Sequence, residues 1–195
     1  DIEKSLFKNE AKSGSDPRKT AKLLTWITNG SKPSDMGFAA GTGADTADVT
    51  GTNAALTLAK IDEAIKAAYI DGGSPSMLLM SPTNKVNFSG LSSGSVATNQ
   101  ITSTAPKEAS IIGSVSLYLS DFGTLDAVVD RQATDSEMYV IDKDYVCLGF
   151  LPGRQFSVSD VAPTGDTTKF SIISEYALIV KAPKAHAVVM GLNGS

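Results

Sequence analysis

From Val115 to Leu192 short apolar runs follow one another, each bounded by Gly, Pro, Asp or Thr. Runs this short and this closely spaced read as strands, so the C-terminal part of the chain is committed to a sheet-rich fold. Val115, Leu117 and Leu119 alternate with Ser114, Ser116 and Tyr118, the period-two pattern of a half-buried strand. Leu125–Val129, Met138–Ile141 and Tyr145–Phe150 follow, and Asp142-Lys143-Asp144 reads as a hairpin turn between the last two. Phe156–Val161 then meets Thr164-Gly165-Asp166, a turn signal, since Gly accepts positive φ and Asp can bond its own backbone. One long strand, Lys169 to Lys181, is expected next; Pro183 interrupts it, and His186–Leu192 is the last.

Upstream the period changes. Leu58, Ile61, Ile65, Ala68 and Tyr69 form a helical stripe, with Asp62 and Lys66 as an i,i+4 pair and Gly72-Gly73 as the stop. Met77–Met80 is a buried strand, and Ser81-Pro82 opens a short helix carrying Val86 and Phe88. Residues 1–12 read as a helix seated on Ile2, Leu6 and Phe7. Asp16-Pro17 predicts a second helix, loaded with Leu23, Leu24, Trp26 and Ile27 and ended near Thr28 by Asn29-Gly30. Residues 30–55 and 89–108 are rich in Gly, Ser, Thr and Ala and read as long loops. Helices first, an α/β middle and a run of strands make an α+β plan. No internal repeat is visible.

Composition narrows function. A chain of 195 residues can bury a core without metal or disulfide staples. One Cys cannot make an intrachain disulfide, and one His cannot build a poly-His metal site. The net charge of -4 argues against a dedicated nucleic-acid binder. Asp1-Ile2-Glu3-Lys4 is no signal peptide, and runs such as Ala177–Val180 fall far short of the ~20 apolar residues of a spanning helix. The start without Met, already in helix interior, is expected of a processed or truncated chain.

The motifs that could carry chemistry have plainer readings. Asp121-Phe122-Gly123 spells the kinase metal-binding tripeptide, but no Gly-rich loop, His-Arg-Asp or Ala-Pro-Glu accompanies it, so a turn is expected. Gly41-Thr42-Gly43 lacks the Gly-Lys-Ser/Thr ending of a phosphate loop and reads as linker. Asp121, Asp126, Asp130, Asp142 and Asp144 read as solvated strand ends, because nothing completes a metal set. Cys147 and His186 sit in predicted strands among apolar neighbours, so Cys147 is expected to act as a small buried hydrophobe. No Gly-x-Ser-x-Gly elbow is present. The acceptor patterns at Asn29, Asn87 and Asn193 carry little meaning without a secretory signal.

The order of several short motifs is more specific than any one of them. Val115–Tyr118, Asp121-Phe122-Gly123, Val128–Arg131, Met138–Asp142, Phe150-Leu151-Pro152, Thr164-Gly165-Asp166, Glu175–Leu178 and Lys184–His186 follow one another in sequence. With the Leu58/Ile61/Ile65 helix, Gly72-Gly73-Ser74-Pro75 and the opening Asp1-Ile2-Glu3, this resembles one group of tailed-bacteriophage major capsid proteins with the Hong Kong 97-like fold.

The resemblance implies a spine helix and long-stranded peripheral lobe (residues 1–55 and 125–195). It also implies an axial lobe of a central β-sheet flanked by helices (56–124 plus part of the C-terminal strands). It implies a structural, non-enzymatic subunit without cofactor or metal. Copies would form hexamers and pentamers, closing into an icosahedral virion shell around double-stranded DNA without sequence-specific binding or membrane. Scaffolding or decoration proteins are further partners it allows, and assembly is expected in the host cytoplasm. Under it, Tyr118, Phe122 and Gly123 shape a bend between strands, Gly165 and Asp166 form a hairpin turn, and Leu58, Ile61 and Ile65 seat a helix on its sheet. Two features depart from the family pattern. The N-terminal arm and extended loop are missing, and the Arg expected after Phe150-Leu151 is displaced to Arg154 behind Pro152-Gly153. Two other classes stay open on the residues alone: a tail or adhesion module, and a hydrolase using the carboxylates and His186.

Overall fold

A computed structural model describes residues 2–8, 11–15, 19–27, 29–31, 54–95, 117–162, 165–166 and 169–193. At its centre is a six-stranded sheet in the order β1-β10-β5-β2-β4-β3. These strands are β1 (Asn29–Ser31), β2 (Met77–Met80), β3 (Leu117–Ser120), β4 (Gly123–Val129), β5 (Glu137–Ile141) and β10 (Ala187–Met190). β2 runs parallel to β4 and β1 parallel to β10, while the β2–β5, β5–β10 and β3–β4 pairs are antiparallel.

Alternation along each strand sorts the side chains into two layers. Leu78, Met80, Leu125, Met138, Val140, Ala187 and Val189 face one side, where they meet Ile61, Ala64, Ile65 and Ala68 of helix α2 (Leu58–Ile70) and Phe88 of helix α3 (Pro82–Ser95). Tyr139, Ile141, Val188 and Met190 face the other, covered by Phe7 of helix α1 (Ile2–Phe7) and by Leu23, Leu24 and Ile27.

Local chemistry fixes the helix ends. Thr57 caps α2, its side chain accepting the Lys60 N–H. The helix stops at Gly72, φ +88°, where the N–H groups of Gly72 and Gly73 donate to the carbonyls of Tyr69 and Ala68. That is the paired bond pattern of a Schellman stop. Gly73 is also needed for space, because a Cβ there would lie 2.4 Å from the Ala185 carbonyl oxygen. Ser81 caps α3 by accepting the Asn84 N–H at 3.2 Å. The buried Asn84 amide then donates to the Asp135 and Glu137 carbonyls and ties the helix to β5.

Beyond the sheet the chain builds a two-stranded ribbon from two consecutive ladders. β6 (Val146–Phe150) pairs with β9 (Tyr176–Val180), and β7 (Ser157–Val161) pairs with β8 (Lys169–Ile173), all antiparallel. Between the ladders, residues 151–156 on one side oppose 174–175 on the other. Leu151 N–H donates to the Glu175 carbonyl and Glu175 N–H to the Arg154 carbonyl, at 3.1 and 3.0 Å.

Several sequence expectations are corrected. The second helix is not seen among the described residues: Lys19 makes an extended bridge to Ser13, and a 3-10 turn at Leu23–Trp26 follows, while Asp16-Pro17 and Thr28 lie outside the described residues. Ala21 to Thr25 and Ile27 are all buried, so this segment is enclosed all round rather than amphipathic. Asn29-Gly30, expected as a stop, lies in β1. α1 ends at Phe7, and α3 reaches Ser95 through what read as loop. Asp142–Asp144 is not a hairpin: a 3-10 turn at Lys143–Tyr145 carries the chain from the central sheet to the ribbon. The long strand over Lys169–Lys181 breaks at Ser174-Glu175, where its partner changes from β7 to β6. The rest of the 30–55 loop, Gly41-Thr42-Gly43 within it and residues 96–108 lie outside the described residues, save 30–31 and 54–55.

Candidate assembly surface

The sheet is half-covered on its α1 side. Leu117 and Leu119 of β3 lie opposite Asp126 and Thr124 of β4, on the same face as Val128. Tyr118 turns the other way, edge-on to Phe88 at 5.8 Å between ring centres. The alternation expected in β3 is therefore present with the opposite phase: Leu119 is 76% exposed, and the tyrosine is the residue facing the core. The Tyr118 hydroxyl donates to Asp62 at 2.6 Å. Burial and that carboxylate push the phenol above its usual range. Asp62 thus serves Tyr118, and among the described ion pairs none joins it to Lys66.

The second exposed apolar surface is the ribbon. Val158, Phe170 and Ile172 are 63%, 65% and 69% exposed, and Phe156, Val161 and Ile173 also face solvent. β7 and β8 pack chiefly on each other. An isolated hairpin is marginal in water, and a soluble monomer rarely leaves so many large apolar groups together in the open. Sequence patterning could not locate this, because alternating apolar residues normally signal one buried face.

The residues singled out from sequence take these places. Ile61 and Ile65 are fully buried and Leu58 half-buried against the sheet. Asp121-Phe122 makes the β3–β4 turn, with Ser120 Oγ accepting the Phe122 N–H and donating to the Gly123 carbonyl. Gly123 has φ +139°, and the Phe122 ring lies 5.0 Å from that of Tyr69. Gly165, φ +80°, and Asp166 are exposed between β7 and β8.

The catalytic candidates do not converge. Cys147 is exposed in the ribbon, opposite Ile179, not buried as expected: in β6 it is the neighbouring Val146 that packs against the core. His186 is fully buried, its Nδ1 accepting the Asp142 N–H at 3.1 Å. Asp126 pairs with Lys143 at 2.7 Å, and Asp130 caps the Gln132 N–H. Asp142 accepts the N–H groups of Ser74 and Asp144. No group of three or more metal-ligating side chains occurs among the described residues. No described helix is long and apolar enough to cross a membrane.

Sequence reasoning missed one polar cluster. Lys22 Nζ lies 2.5 Å from Glu137 Oε1, both buried beneath α1, and the Tyr139 hydroxyl donates to the other carboxylate oxygen. Burial and Glu137 hold the Tyr139 hydroxyl well above its usual range. The signal was a lysine directly before the apolar pair Leu23-Leu24.

A family model for the SU10 major capsid protein matches residues 1–193. The chain belongs to that family. Among solved structures, the cyanophage A-1(L) capsid asymmetric unit is similar at 15% identity and a TM-score of 0.57, with 98% of this chain and 64% of that chain covered. Its likeness shows the fold. A virus-like particle from Pyrococcus furiosus matches at 13% identity and a TM-score of 0.42, covering 71% of this chain and 54% of that one. An encapsulin complex from Synechococcus elongatus matches at 16% and 0.49, covering 73% and 52%. The chain thus spans less than two thirds of the length of each solved chain named. No curated protein matches it. Its family is one of structural proteins, and its architecture mixes helix and sheet as a capsid subunit does.

Proposed function

We propose that this chain is the repeated wall subunit of a tailed-phage head, grouped as hexamers and pentamers in an icosahedral shell around double-stranded DNA. Family membership supports the capsid role. The observation that carries repeated self-contact is the exposed apolar ribbon around Val158, Phe170 and Ile172. Burying such groups between copies gains roughly 25 cal/mol per Å² of apolar surface, and many weak contacts add up in a closed shell. In the Hong Kong 97-like reading, the sheet with α2 and α3 is the axial lobe. The peripheral lobe then takes α1 and the ribbon.

The acidic balance suits an inner wall that encloses DNA without holding it, since phosphate binding draws on clustered Lys and Arg. The subunit works as a structural element of the virion, and its contacts rather than a pocket do its work. Negative-stain microscopy with light scattering on the protein as its gene encodes it tests the reading. Closed particles or rings are expected. A monomer at every concentration and salt would contradict it.

A further inference from the structure

The chain crosses from the sheet body to the ribbon through the 3-10 turn at Lys143–Tyr145 and returns through a second one at Pro183–Ala185. The crossings lie side by side, with the Lys181 N–H donating to the Tyr145 carbonyl at 2.9 Å. One histidine pins both to the body. Asp142 stands just before the first crossing and His186 just after the second, and Nδ1 of the ring accepts the Asp142 N–H at 3.1 Å. The Asp142 carboxylate holds the backbone around it. Its Oδ1 accepts the Asp144 N–H at 3.1 Å and caps the first crossing. Its Oδ2 accepts the Ser74 N–H at 2.9 Å and ties in the connection from α2 to β2.

The charge on the ring decides whether this node holds. With Nδ1 accepting, the ring proton sits on Nε2, and that buried nitrogen has no hydrogen-bond partner among the described residues. A second proton turns Nδ1 into a donor facing the N–H donor of Asp142. The imidazolium then carries two buried N–H groups, and the acceptor within reach of its charge is the Asp142 carboxylate. Serving the ring draws that carboxylate off Asp144 and Ser74. The other charges nearby are turned to solvent or already paired. Lys143 and Asp144 on the first crossing, Lys181 and Lys184 beside the second, and Asp71 at the end of α2 are exposed, and Lys143 pairs with Asp126. Lys22 and Glu137 pair with each other at the opposite end of β5. Asn29–Ser31 of β1 carries no ionisable side chain.

We propose that His186 is a proton-operated catch on the join between sheet body and ribbon: neutral, it locks both crossings to the body, and charged, it releases them. Body and ribbon each keep their own ladders, and the angle between them is freed. The ribbon's base stays seated on the other side, where Ser5 Oγ meets the Tyr176 hydroxyl at 2.9 Å and Thr20 Oγ1 accepts the Leu178 N–H at 3.1 Å. Burial lowers the ring from its ordinary 6.5, so the catch is closed at neutral pH and opens on the acid side of that value. The catch is a property of one copy and stands or falls apart from the shell reading.

Hydrogen exchange read by mass spectrometry on the full-length protein tests it, between about pH 7.5 and about pH 5. Slow exchange of the carbon-bound ring hydrogen gives the midpoint of His186 itself. Backbone exchange in the same samples, corrected for its intrinsic pH dependence, gives the state of the crossings. Protection of Ser74 and Asp142–Tyr145 should fall roughly tenfold, as for one hydrogen bond lost, at the ring's own midpoint. The β6–β9 and β7–β8 ladders should keep theirs. His186→Asn retains an acceptor for the Asp142 N–H and cannot gain the charge, so its crossings should stay protected throughout. An equal loss in that variant overturns the catch, as does a ring that titrates with no loss at the crossings. A loss that spreads at once through sheet and ribbon is unfolding rather than release and overturns it too. Should the variant fail to fold, the two midpoints in the unmodified protein decide: coincidence supports the catch, and separation overturns it.

Discussion

His186 is fully buried, and its Nδ1 is committed to the Asp142 amide. Burial pushes the imidazole below its ordinary value of 6.5, and the Asp142 carboxylate opposes this without reversing it. The unfolded chain therefore takes up the proton more readily, so stability rises with pH across the interval between the two values. The contribution is complete above 6.5 and is lost as pH falls toward the lower folded value. Thermal melts at about pH 7.5 and 5.5 should show a drop that His186→Asn, which keeps an acceptor for the Asp142 N–H, makes smaller. Identical pH dependence in the two proteins would remove His186 from the account. The Lys22–Glu137 pair makes a second prediction. Lys22→Met should cost about 3–5 kcal/mol, because it strands a buried carboxylate, whereas Lys22→Met with Glu137→Leu should recover most of the loss. Urea unfolding of both variants checks the order, and a double variant no better than the single one would contradict it.

Among the elements, two glycines are held for different reasons. Gly73→Ala forces a Cβ against the Ala185 carbonyl and should cost about 1–3 kcal/mol as overpacking, read by denaturant midpoint. Gly165 has open space around it but a positive φ, so Gly165→Val strains the backbone alone, by about 1–3 kcal/mol. The strain should appear locally, as faster hydrogen exchange in β7 and β8 with the sheet unchanged. Equal exchange would remove the turn assignment. α2 was legible from sequence because it buries one set of residues at the period its backbone dictates, with Gly72-Gly73 marking the stop, and β2 because a short apolar run between turn residues reads as a buried strand. The segment around Leu24 was not legible, because it is buried on every side and its lysine is neutralised by a residue far along the chain. The ribbon's break at Ser174-Glu175 was hidden too: two polar residues interrupt the apolar pattern only briefly, and the change of partner strand makes them a division.

At the scale of the molecule, the sheet body is a closed core on its α2–α3 face, while the ribbon and the Leu117/Leu119 face are left open. The order of motifs along the sequence carried the family, but the assembly surface was not legible. Exposure of Val158, Phe170 and Ile172 follows from where the chain goes after Lys143–Tyr145, which periodicity does not encode. The most direct test is a cryo-EM reconstruction of particles assembled from the full-length protein. The account predicts closed shells in which the apolar groups of the β7–β8 hairpin are buried. Particles in which Val158, Phe170 and Ile172 face solvent, or a protein that stays monomeric, would contradict it.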